Sequence, residues 1–168
     1  MNRHYNYVGP DDIRTRVADH PAGFCPENRT ALLDWLIAHT HATRGEDTFT
    51  FVVGTDGRLR LADRHSEHVA CSGGAPVLAA GEMTLDWTCG TEVYVAMVSN
   101  LSTGFCPEPT CWDAIALALE ALGLGHDGEL TYAFDYRRCP ACGSRNVIKD
   151  GYFVCDVCGE PLPEAWNF

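Results

Sequence analysis

Cys139-Pro140-Ala141-Cys142-Gly143 is answered sixteen positions later by Cys155-Asp156-Val157-Cys158-Gly159. Each Cys-x-x-Cys lets one tight turn aim two sulfurs at a single point. The glycine behind each pair relieves the backbone where the turn reverses. Between the inner cysteines, Asn146-Val147-Ile148-Lys149 reads as a strand, Asp150-Gly151 as a two-residue turn and Tyr152-Phe153-Val154 as the return strand. Two knuckles joined by a hairpin bring four thiolates together, the donor set that tetrahedral zinc prefers.

From Arg137 to Phe168 this pattern resembles a zinc ribbon. The expected ligands are Cys139, Cys142, Cys155 and Cys158, holding one structural Zn²⁺. With four protein thiolates, no coordination position is open to water or substrate. So short a segment cannot build a sufficient core alone, and metal binding of about 10–16 kcal/mol would supply its folding free energy. A redox role for either Cys-x-x-Cys is the alternative, but it does not explain why there are two pairs.

Outside the knuckles lie Cys25, Cys71, Cys89, Cys106 and Cys111, nine cysteines in all. An odd count, together with an N-terminus (Met1 to Tyr7) that carries no apolar leader, points to reduced thiols in the cytoplasm rather than a disulfide framework. No apolar run is long enough to cross a bilayer. Hydrophobic residues make up 46% of 168, which excludes a mainly disordered chain.

The net charge is −11, and it is unevenly placed. Up to Tyr136 there are eight basic and nineteen acidic residues; from Arg137 on there are four of each. The sequence therefore divides into an acidic domain, 1–136, and a neutral ribbon, 137–168. The acidity argues against nucleic-acid binding by bulk electrostatics. Only Arg137, Arg138, Arg145 and Lys149 would offer a cationic footprint, and a weak one.

Within the body, Pro10 to Val17 starts a short helix with Asp11 and Asp12 in the first turn. Glu27 to Thr40 reads as a helix with Leu32, Leu33, Leu36 and Ile37 on one side. Thr48–Val53 and Arg58–Leu61 flank Thr55-Asp56-Gly57 as a hairpin, and Val77–Leu85 with Glu92–Ser99 form a second strand pair. Trp112, Ile115, Leu119 and Leu122 mark a buried helix face that ends at Gly123 and Gly125. Alternation from Leu130 to Tyr136 predicts a strand leading into the first knuckle. The expected fold is α+β: a small antiparallel sheet with two or three helices, followed by the ribbon. The apolar tail Leu162–Phe168 is expected to fold back on the ribbon or sheet.

Gly23-Phe24-Cys25-Pro26-Glu27 recurs as Gly104-Phe105-Cys106-Pro107-Glu108, each copy before a helix. The plain reading is a repeated helix start, with Pro at the first helical position. The sharper one places Cys25 and Cys106 at helix N-termini, where a thiolate is stabilised, although Glu27 and Glu108 oppose this.

His68-Val69-Ala70-Cys71-Ser72-Gly73-Gly74-Ala75-Pro76-Val77-Leu78-Ala79-Ala80-Gly81-Glu82, followed by Asn100-Leu101-Ser102-Thr103-Gly104-Phe105-Cys106-Pro107, is similar to a module of bacterial polymorphic-toxin proteins and plant IQ-motif calmodulin-binding proteins. Val69 and Ala70 replace two serines of that pattern, Thr103 and Gly104 replace Gly and His, and Phe105 replaces Tyr. The resemblance implies a small sheet closed by a helix, with a Gly-rich turn between. The missing polar groups favour binding or a divergent activity.

His65, His68 and Cys71, with Cys25, Cys106 and Cys111, are candidates for a second metal site, although their spacing is loose. The functional expectation is a cytoplasmic zinc protein that binds a macromolecule, a protein by preference, with no membrane and no nucleic acid involved and the oligomeric state open. The alternative is a divergent transferase or hydrolase with a pocket near His68, Glu82, Asn100 and Cys106.

Overall fold

A computed structural model describes residues 3–42, 44–88 and 92–168; Cys89 lies outside them. The elements are α1 (Asp11–Arg16), α2 (Arg29–Thr40), β1 (Arg44–Gly54), β2 (Leu59–Asp63), α3 (His68–Cys71), β3 (Val77–Thr88), β4 (Val93–Val98), α4 (Trp112–Ala121), β5 (Asp135–Arg138) and β6 (Arg145–Ile148). Four strands form an antiparallel sheet in the order β2-β1-β3-β4, and β5-β6 form a separate antiparallel pair. The expected α+β architecture is the one observed.

The two inner strands carry the core. Phe49, Thr50, Phe51, Val52 and Val53 are buried without interruption, as are Val77 to Gly81. Unbroken burial in a strand whose side chains alternate means that both faces of the sheet are covered. α4 packs across β1, β2 and β3, and α3 packs against β1 and β2. Leu32 and Leu36 of α2 are fully buried, each contributing about 1.5–3 kcal/mol of apolar transfer.

Three boundaries differ from the sequence reading. α2 begins at Arg29, not Glu27, because the Asn28 side chain accepts the Ala31 N–H at 2.9 Å and acts as the cap. Pro26 and Glu27 stay outside the helix, so Cys25 is not at its N-terminus. Cys106 likewise precedes α4 by a turn, Pro109–Cys111, rather than starting it.

The third difference is the strand expected over Leu130–Tyr136, which starts only at Asp135. Before it there is a single bridge between Ser99 and Tyr132. The Asn100 side chain takes both backbone groups of Phe134, accepting its N–H at 2.7 Å and donating to its carbonyl at 2.8 Å. Those are the groups a neighbouring strand would have used.

α4 closes as read. Gly123 is left-handed (φ 66°), its N–H donates to Glu120 O, and Leu124 N–H donates to Leu119 O, a Schellman arrangement. The stretch from His68 to Pro107 builds α3, the left-handed Gly73-Gly74 turn, β3 and β4.

Candidate metal centre

β5 runs directly into the first knuckle, and β6 carries the chain away from it. Asp150 and Gly151 both have positive φ (51° and 69°), as a type I′ turn requires, and Tyr152 N–H closes the turn on Lys149 O at 2.9 Å. The chain then returns into the second knuckle. The two knuckles repeat one hydrogen-bond pattern. Gly143 N–H donates to Cys139 O and Cys139 N–H to Ser144 O; Gly159 N–H donates to Cys155 O and Cys155 N–H to Glu160 O, all at 2.8–2.9 Å. Gly143 and Gly159 share φ values of 75° and 76°, the left-handed region where a β-carbon is strained.

The four Sγ atoms of Cys139, Cys142, Cys155 and Cys158 lie within 4.8 Å of one another. Cys139 and Cys158 are 3.5 Å apart at sulfur, and Cys142 and Cys155 are 3.7 Å apart. Four sulfurs about 2.3 Å from one centre would stand about 3.8 Å from each other in a tetrahedron, so the cage has the size of a single closed metal site. Cys139 and Cys155 are buried with Leu162, against Ile148 and Phe153; Cys142 and Cys158 face solvent.

Ser144 sits at the rim, its Oγ 3.0 Å from Cys142 Sγ and 3.1 Å from Cys155 Sγ. This hydroxyl pulls both thiols below their ordinary range, Cys155 to about 5. The backbone N–H of Glu160 favours the Cys158 thiolate, yet desolvation and the three neighbouring sulfurs push that thiol up to about 12. A divalent cation at the centre would offset the charge that four thiolates crowd into this spacing.

The ribbon is fastened to the body at several points. Arg145 Nη1 donates to Thr103 O at 2.6 Å and to Val8 O at 3.4 Å, and just before the ribbon Tyr136 OH accepts the Ser102 N–H at 3.0 Å. Arg137, 8% exposed, donates to the carbonyls of Tyr136, Pro163 and Glu164. The tail folds back as expected: Trp166 packs edge-on against Tyr5 and donates its indole N–H to Cys106 O at 2.8 Å.

The residues suggested for a second site are not brought together. Among the described residues, the four C-terminal cysteines are the only group of three or more His, Cys, Asp or Glu placed to share an ion. His65, His68, Cys25, Cys71, Cys106 and Cys111 do not gather into another.

The proposed pocket loses two of its four side chains to structural work. Asn100, fully buried, spends its amide on Pro107 O and on both backbone groups of Phe134. Cys106 is enclosed, and burial pushes its thiol up to about 12, the reverse of an activated nucleophile. His68 holds Gly81 O at 2.9 Å beside Glu82.

Sequence reading missed Ser144, Asn146, Arg137 and Trp166 as supports of the centre. For Ser144, Asn146 and Arg137 the signal is position, within a few residues of a knuckle cysteine, rather than any motif; Trp166 carries no such signal. No family model matches the chain, and neither a curated protein nor a solved structure does. The likeness of residues 68–107 to the toxin and IQ-motif module is therefore not shown by any of these comparisons.

Proposed function

We propose that this chain is a zinc-stapled binding module: one structural Zn²⁺ in the four-cysteine cage, and an acidic α+β body that docks a second protein in the reducing cytoplasm. The gathering of four thiols around one centre carries this reading, because an all-thiolate shell leaves no position for a reacting water or substrate. Thiolate ligands also favour a compartment in which they stay reduced. Two further observations support a protein partner over a nucleic acid. Arg137 and Arg145 spend their guanidinium groups on backbone carbonyls, and the net charge of −11 suits a basic protein surface.

Metal analysis of the purified chain should return about one zinc per chain, as one closed four-ligand site requires. The double substitution Cys139→Ser with Cys142→Ser should lose it; full zinc in that variant would overturn the assignment. For docking, crosslinking in source cells followed by reconstitution from two purified proteins should give a stoichiometric complex that weakens with salt. Substrate turnover by the purified chain, abolished by His68→Ala, would establish the enzyme reading instead.

A further inference from the structure

A cavity of about 540 Å³ opens between the 17–24 segment, α2, the end of β2 and α3. One wall is a ladder of flat rings. Phe24 and Trp35 stack at 5.0 Å with 3° between planes, and His39 stacks on Trp35 at 4.7 Å and 19°. Asp63 and Glu67 line the same cavity, and no lysine or arginine does so among the described residues. One Asp63 carboxylate oxygen accepts the His65 N–H at 2.9 Å. The other stands 3.9 Å from His39 Nε2, too far for a hydrogen bond, and so keeps its accepting capacity. The Glu67 carboxylate is exposed.

We propose that this cavity receives an arginine side chain of the partner protein, an inference that rests on the module reading above. A guanidinium is flat, so it can pack against the ring-lined wall, and its forked N–H donors match carboxylate oxygens. A metal ion is a poorer occupant, because the cavity's histidines and carboxylates do not converge on one point. A neutral aromatic ligand would offer no cationic donor to the Asp63 and Glu67 carboxylates that line the cavity. The volume admits the guanidinium with its aliphatic stem and part of a neighbouring residue. The body's acidity would steer such a group inward.

The test uses the full zinc-loaded chain, labelled with ¹⁵N, and three peptides: acetyl-Gly-Arg-Gly-amide, its lysine analogue and its citrulline analogue, which has the same shape without the charge. The arginine peptide should shift the Trp35 indole and His65 amide signals saturably. The citrulline peptide should bind at least about tenfold more weakly, and the lysine peptide should fall between them. The double substitution Asp63→Asn with Glu67→Gln, which retains the Asp63-type acceptor for the His65 amide, should abolish the shifts while leaving spectral dispersion and zinc content unchanged.

Equal response to citrulline, shifts centred away from Trp35, or undiminished binding by the double variant would overturn the assignment. The peptide readout is separate from the existence of a partner. Arginine binding without any protein complex would sink the module reading alone. A protein complex indifferent to the double substitution would sink the cavity assignment alone.

Discussion

Asn146 and Asp156 join the two knuckles: the Asn146 side-chain oxygen accepts the Asp156 N–H at 3.0 Å, while its amide donates to Ser144 O at 3.1 Å. One buried side chain thus reaches from the shoulder of the first Cys-x-x-Cys into the middle of the second. Groups that orient ligands from outside the shell commonly govern about ten- to hundred-fold of metal affinity. Asn146→Ala should therefore bind zinc about ten- to hundred-fold more weakly while keeping one ion per chain. Competition against a chromophoric chelator measures this, and wild-type affinity in the variant would show that the cage orients itself without the bridge.

At Gly81 strand β3 runs close against the Ser99–Asn100 backbone. A β-carbon there would overlap the Ser99 carbonyl and press on the Asn100 backbone, neither of which is a flexible chain end. Ser99 N–H is meanwhile bonded to Glu82 O at 2.9 Å, so the two segments cannot drift apart without losing that bond. Gly81→Ala should cost ~2 kcal/mol or more, the upper part of the range for forced overpacking. Urea unfolding of the zinc-loaded chain reads it as a lowered midpoint; a change under 0.5 kcal/mol, the ordinary scatter of neutral substitutions, would mean that this approach relaxes freely.

What the sequence made legible follows from how local each signal is. The knuckles, the Asp150-Gly151 turn and the α4 terminus are each decided by residues within a few positions, and each stands where the pattern places it. The strand over Leu130–Tyr136 fails because a distant residue, Asn100, takes the hydrogen-bonding groups of Phe134. The Glu27 helix start fails by two residues because an asparagine cap outcompetes a Pro-Glu entry. Of the pocket reading, only the closeness of His68 to Glu82 survives, since no periodicity reveals that Asn100 and Cys106 point inward.

His68 should make stability fall with acid. Burial lowers its imidazole below the ordinary range, outweighing the opposing pull of the Gly81 carbonyl and of Glu82. Because the folded value lies below the unfolded one of about 6.5, the unfolded chain takes the proton more readily. The contribution of neutral His68 is then full above that unfolded value and is lost as pH falls through the folded one. Thiolate protonation adds its own acid loss of metal, so the informative quantity is the difference from His68→Gln, which keeps an N–H donor toward Gly81 O but cannot charge. The stability gap between wild type and variant should move against wild type between about pH 7.5 and pH 5. A gap that does not change with pH would place the titration elsewhere.

The tail should report the metal. Trp166 is held by one hydrogen bond to Cys106 O, by edge packing on Tyr5 and by Arg3 lying 4.6 Å over its ring. The chain reaches it from the second knuckle through Leu162 and through the carbonyls of Pro163 and Glu164 that Arg137 grips. With metal bound, Trp166→Phe deletes the hydrogen bond but keeps an aromatic ring and should cost about 1 kcal/mol. Trp166→Ala also removes the ring packing and should cost about 2–3 kcal/mol, below the range for a fully buried ring because Trp166 is half-buried. If the cage positions the tail, a strong chelator should erase most of both differences and expose the segment after Cys158 to protease. Differences that survive chelation intact would mean that the tail docks by its own contacts and that the metal organises the ribbon alone.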